Sequence, residues 1–330
     1  MFRHLNLLTV VLCFALVVLG AYVRLSNAGL GCPDWPGCYG HLTVPVSAPA
    51  RAAADVRYPL RPVEAPKAWK EMIHRYLAGI VGLLVLTMAG LAARDWRRRG
   101  PHLLPFVVLG VILVQIVFGA WTVTLQVVPL VVTTHLLLGM TTLALLWWMW
   151  LRQRAPRPDS AGMPGGVRLF AALALAVLCV QIFLGGWTST NYAALACPDF
   201  PSCQGSYLPE ASLAKAFTLW HPLGVNYEGG VLSSAVRATI HMVHRYGALL
   251  TSLVFGGLGL QLLLWGRRPL WRGLGVALLA TLALQVVIGI SIVEWQFPLW
   301  LADAHNGGAA LLLLTAVAVN HFVWTARSHA

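Results

Sequence analysis

Four of the eleven histidines in the chain sit where an imidazole is costly to keep. His74, His135, His244 and His305 each fall about 3–7 residues inside the start of a long apolar run, roughly 5–10 Å below its edge at 1.5 Å per helical residue. An ionisable residue inside a membrane span marks a functional site by default. Two neutral imidazoles on separate helices can hold the iron of a porphyrin on opposite axial sides, with the ring slotted between the helices. Zinc fits less well, because it wants three or four clustered ligands. A proton relay or plain hydrogen bonding is the competing use.

The neighbours of these histidines add chemistry. Arg75 and Arg245 directly follow His74 and His244. A guanidinium there either pairs with porphyrin carboxylates or snorkels to lipid headgroups. Glu71 stands three residues before His74, one helical step away on the same face, while the matching position before His244 is His241. A buried carboxylate can move a proton or steady a developing positive charge, so the first site is expected to do chemistry and the second to store or pass electrons. Two cysteine pairs, Cys32/Cys38 and Cys197/Cys203, share the pattern C-P-D-[W/F]-P-x-C. In an oxidising compartment each pair is most simply a local disulfide, structural or redox-active; metal binding by a lone C-x5-C is a weaker alternative.

These groups need elements to hold them, and composition says which. Of 330 residues, 58% are hydrophobic and 10% charged, against roughly 45–50% and about 25% in soluble domains. That excludes a water-soluble globule, and the uninterrupted apolar runs exclude a disordered chain. The net charge of +12 suits loops held against anionic lipid; with Arg in short clusters between apolar runs, nucleic acid is not an expected partner.

Eight stretches are long enough to cross a bilayer, near 5–25, 70–93, 104–126, 130–151, 168–188, 237–265, 270–293 and 302–325. The joins after spans two, four and six carry eleven Arg in all, and the short joins QVVPL and EWQFPLW carry none. Basic joins face the cytoplasm. Both termini are therefore expected inside, and the two long loops, about 26–69 and 189–236, outside with the four histidines near the outer face. Leu5–Leu25 could be a cleaved signal peptide, but the duplication favours a retained span.

That duplication is plain on self-comparison. GLGCPDWPGCYG at 29–40 matches ALACPDFPSCQG at 194–205, an offset of 165; MIHRY at 72–76 matches MVHRY at 242–246, an offset of 170. Gln115, Gly119 and His135 map onto Gln285, Gly289 and His305 at the second offset, and Gly20 onto Gly185 at the first. The expected fold is an all-α integral membrane protein: eight transmembrane helices as two pseudo-symmetric, parallel-repeat four-helix bundles, residues 1–155 and 156–330. The other histidines have bland readings: His4, His102 and His329 in tails or inner joins, His41 and His221 on solvated outer loops, His321 at the interface. Cys13 and Cys179 read as small buried hydrophobes.

Taken in order, GAYVRLSNAGLGCPDWPGC, EMIHRYLAG, TTHLLLGM, CPDFPSC, HMVHRYGAL and DAHNGGAALLL resemble the haem A synthase family of cytochrome oxidase biogenesis over nearly the whole chain. The resemblance implies haem b in the C-terminal bundle on His244 and His305, substrate haem O between His74 and His135, and Glu71 as the catalytic carboxylate. It implies oxidation of the C8 methyl of haem O to a formyl group in the bacterial inner membrane. Partners would be membrane lipid, haem O synthase (the protohaem farnesyltransferase) and an electron donor such as quinol; assembly of several copies is compatible with an apolar surface. Rival readings are a di-haem b-type electron carrier exchanging electrons with quinol and, less well supported, a parallel-repeat transporter.

Overall fold

In lipid every backbone amide must find a partner within its own segment, so an apolar run of spanning length folds as helix. The computed structural model describes residues 1–99, 103–154, 163–208 and 211–326. Its helices are α1 (Phe2–Leu25), α2 (Ala48–Arg57), α3 (Ala65–Arg99), α4 (Leu104–Thr124), α5 (Pro129–Arg154), α6 (Val167–Thr190), α7 (Leu213–Ala216), α8 (Ser234–Trp265), α9 (Pro269–Glu294) and α10 (Leu299–Thr325). All but α2 and α7 are long and apolar enough to span a membrane, eight among the described residues. They fall on the eight expected stretches. The fold is all-α; among the described residues no strand forms, only isolated bridges at Cys38–His41 and Cys203–Ser206.

Proline marks several helix starts, Pro105 in α4 and Pro269 in α9, where a missing N–H costs nothing. The α4–α5 and α9–α10 turns each use two consecutive left-handed residues, Gln126–Val127 (φ 54° and 54°) and Gln296–Phe297 (φ 58° and 63°). None is glycine, so each costs about 1–2 kcal/mol. The same strained turn recurs at an offset of 170, which carries the duplication into backbone geometry.

The halves are not separate balls. α1 packs against α3, α5 and α10, and α6 against α5, α8 and α10. One apolar core runs through both halves, from Val10, Val85 and Leu143 to Leu178, Phe255 and Leu313. In α10, 56% of the apolar window is buried, against 33% or less in every other span, so α10 lies nearest the centre.

That placement corrects three expectations. His321 on α10 is buried and turned into the protein, edge-on to Phe322, instead of lying at the interface. His221 is half-buried beside the Trp187 ring and edge-on to Tyr227, not simply solvated. Cys179 is exposed on the flank of α6, whereas Cys13 is buried as expected. His102, His329 and the boundary at 155/156 lie outside the described residues.

Candidate functional site

The site is built on the triplet His-Arg-Tyr, whose three side chains leave the helix about 100° apart. On α3, Arg75 and Tyr76 hold the first loop while His74 turns inward. Arg75 donates to the carbonyls of Pro36 (3.3 Å) and Gly37 and pairs with Glu71; the Tyr76 hydroxyl donates to the Leu42 carbonyl at 2.8 Å. On α8, Arg245 donates to the carbonyls of Ser202 (2.5 Å), Pro201 (3.3 Å) and Cys197 (3.3 Å), and Tyr246 to that of Tyr207. Each Arg is thus engaged with a loop.

Both loops close on disulfides, Cys32–Cys38 and Cys197–Cys203. An Asp folds the tip of each. Asp34 accepts the amide protons of Tyr39 and Gly40, both at 2.6 Å, and Asp199 those of Gln204 (2.6 Å) and Gly205 (3.0 Å). Ser202 also donates its hydroxyl proton to Asp199, and these bonds to the ionised form hold its carboxyl down at about 2. Tyr39 donates to the Pro62 carbonyl at 3.0 Å, and burial pushes its phenol up to about 12.

Each of the four expected histidines fits a notch made by a glycine on the neighbouring helix. A Cβ added to Gly20, Gly119, Gly185 or Gly289 would lie 2.8, 3.1, 3.2 or 2.9 Å from Cε1 of His74, His135, His244 or His305. Any side chain there would displace the ring. A carboxamide one turn back from the glycine accompanies three of the notches. Gln181 lies 3.1 Å from Nδ1 of His244 and Gln285 3.2 Å from Nε2 of His305, while Gln115 extends toward Gly139 on α5, one turn past His135.

His244 and His305 stand 6.5 Å apart between ring centroids, with planes at 83°. Metal–imidazole bonds of about 2 Å on both sides of one ion would set two trans rings roughly 6 Å apart. The buried Nδ1 atoms of His74, His135 and His305 have no hydrogen-bond partner, a cost that a site for a metalloporphyrin would explain. On both counts the residues fit an iron porphyrin. His74 and His135 are electrostatic neighbours of each other. Among the described residues, no group of three or more His, Cys, Asp or Glu could hold a bare metal ion.

Glu71 is buried, its side chain 5% exposed. It accepts the Cys32 amide proton at 2.8 Å and the Arg75 ion pair. His241, at the same place on α8, is also buried, with Nδ1 unpaired.

Reading the sequence missed Gln181 and the purpose of the glycines, although Q-x3-G recurs at 115–119, 181–185 and 285–289 and would have betrayed both. It also missed the contacts where the halves meet. Arg24 donates to the Ser189 carbonyl at 2.7 Å and lies over the Tyr192 ring, and the Tyr192 hydroxyl donates to Asn27 at 3.1 Å. Both Arg24/Ser189 and Asn27/Tyr192 are 165 residues apart, the offset that relates the two cysteine loops in sequence. A polar cavity of about 340 Å³ lies between the long loops, lined among others by Tyr39, Arg61, Lys67 and Glu228, and none of the four histidines lines it.

Residues 3–317 match the COX15-CtaA family model, described as cytochrome oxidase assembly protein. The chain is 44% identical over 320 residues to a protein of Shewanella oneidensis named heme A synthase, covering 96% of this chain and 95% of that protein. It is 30% identical to a heme A synthase of Beijerinckia indica, covering 93% and 89% of the two chains.

Proposed function

The chain belongs to the COX15-CtaA family of cytochrome oxidase assembly proteins, and from that premise we propose that it is a haem A synthase, a membrane oxidoreductase that converts the C8 methyl of haem O to a formyl group. The observation that carries the reading is the repeated arrangement of paired histidines, each in a glycine notch and one pair at 6.5 Å.

In this reading the N-terminal half, 1–155, takes haem O between His74 and His135, and the C-terminal half, 156–330, holds haem b between His244 and His305. Haem b would supply one-electron storage, fed by a donor such as quinol. The chain's own residues do the rest. The four notches fix the imidazoles so that a porphyrin enters at one depth. Glu71, held by the Cys32 amide, is positioned to accept a proton or to balance positive charge developing at the methyl carbon. Arg75 and Arg245 tie the loops over the sites and put a cation at the end where haem carboxylates would lie. His241 leaves the second site without an acid at the place of Glu71.

We further propose that both termini are cytoplasmic and that the loops and haem sites lie toward the outer face of a bacterial inner membrane, from the basic joins. Haem O synthase is the natural source of the substrate.

The test is pigment analysis. The full chain, expressed with haem O and purified, should contain haem b and yield haem A by mass. Two haems unchanged by turnover would instead identify a di-haem electron carrier.

A further inference from the structure

The notch glycines are common to all four histidines, but the carboxamide is not. The 165 offset that carries Gly185 to Gly20 carries Gln181 to Leu16, and the 170 offset that carries His244 to His74 carries Gly247 to Leu77. These two changes belong together. Gln181 donates to the His244 carbonyl at 3.1 Å and reaches the imidazole by passing over Gly247, where a Cβ would collide with its Oε1. Gln285 lies over Gly308 in the same manner, and Gln115 brings its Nε2 to 3.3 Å from a Cβ placed at Gly139. On the first-half helix pair α1–α3, both members of the arrangement are leucine. His74 is the one histidine of the four without a glutamine on the neighbouring helix; its buried Nδ1 has no partner, as those of His135 and His305 have none, but only His74 also lacks the carboxamide.

We propose that His74 is the releasable ligand of the first site, His135 the fixed one, and that Leu16 with Leu77 is what leaves His74 free. The inference rests on the haem reading above and deepens it. An imidazole that ligates a metal is oriented by a hydrogen bond to its other nitrogen, and loss of such a partner typically costs 10–100-fold in metal affinity. The carboxamides of Gln181 and Gln285 lie within hydrogen-bond distance of the rings of His244 and His305, and that of Gln115 lies against α5 one turn past His135. A leucine side chain can make no hydrogen bond. A porphyrin iron with both axial places filled by protein has no face for an external ligand, and a reactive site must keep one open. The site with Glu71 lacks the carboxamide on one side; the site with His241 in that place has it on both. Leu16 and Leu77 are therefore positioning residues, acting through His74. Release breaks one imidazole–iron bond and forms one bond to the incoming ligand, with no net electron transfer.

The experiment uses purified full-length protein loaded with haem O, its haem content first counted in wild type, His74→Ala and His135→Ala, and cyanide as the probe of an exchangeable position on ferric iron. Wild type should bind cyanide at one haem of two. His74→Ala should keep its first-site haem and His135→Ala lose it. Moving the second-half pair into the first, Leu16→Gln with Leu77→Gly, should weaken cyanide binding at that haem at least tenfold and turn its spectrum fully low-spin. In the opposite direction, Gln181→Leu should make the second haem reactive to cyanide. The second arm stands even if the first variant folds poorly, because it acts on the other site. Equal haem loss from His74→Ala and His135→Ala, or a second haem as inert in Gln181→Leu as in wild type, overturns the proposal. A wild-type chain that carries no haem fails the haem reading itself, which the initial count separates from failure of the ligand asymmetry.

Discussion

Glu71 accepts the amide proton of Cys32 at 2.8 Å, so the one acid of the duplicated helix motif is tied to the disulfide of the loop above it. The second half has the same loop, the same disulfide and the same Arg, but His241 at the acid's place. The loop and the candidate catalytic group are one unit in the first half only.

Glu71→Gln keeps an acceptor for the Cys32 amide and removes the charge. Haem b should be retained while haem A yield falls by about 10²-fold, the scale of a lost general acid–base group, with haem O accumulating. Haem b content and haem A yield measured in one preparation decide it; near-normal haem A removes Glu71 from the catalytic set.

Removing the first disulfide by Cys32→Ser with Cys38→Ser should destabilise its loop by about 2 kcal/mol, the chain-entropy value for so short a loop. Haem A yield should drop further than after Cys197→Ser with Cys203→Ser, because only the first loop positions Glu71. Equal losses from the two double variants would reduce both disulfides to folding devices.

Gly289→Ala puts a methyl group 2.9 Å from the His305 ring, and overpacking of that kind costs about 1–3 kcal/mol. The low-spin haem b spectrum should weaken and the melting temperature fall. Gly90→Ala on α3 is the control. Nothing lies within 4 Å of its added Cβ, and helix propensity alone should stabilise by about 0.5–1 kcal/mol.

The Asp199 carboxyl is held at about 2, below its ordinary 3.8, first by the Ser202 hydroxyl and then by loop amides. A lowered folded value means that its contribution is complete above about pH 4 and is lost as pH falls through about 2. Reduction of Cys197–Cys203 by a phosphine should therefore accelerate between pH 4 and 2. Asp199→Asn should be fast already at pH 4 and flat below it; an unchanged pH profile in that variant would assign the effect elsewhere.

Orientation is checked by reporter fusions. Arg98, Arg154 and Arg268 should report cytoplasm, Val128 and Gln296 the outside. An outside signal at Arg154 inverts the proposed topology.

What the sequence determined by itself follows from local rules. Eight spans are legible because lipid permits an isolated apolar run only as helix, and their limits moved by a few residues. The four histidines, Glu71 and the cysteine pairs are legible because a repeat compares the chain with itself: His244 stands to Arg245 as His74 to Arg75 whatever the packing. Tertiary structure decided what depends on which helices touch. Arg75 and Arg245 look like lipid-facing or carboxylate-binding cations in sequence, and their engagement with loop carbonyls needs the loop folded back on the helix. His321 and Cys179 have equally apolar neighbours along the chain, yet one is buried and the other exposed, because in a membrane protein lipid-facing and protein-facing surfaces have the same composition. The glycine notches are the clearest case. Gly20 and His74 are far apart in sequence, and only the packing of α1 on α3 turns the absence of a side chain at one into the position of an imidazole at the other.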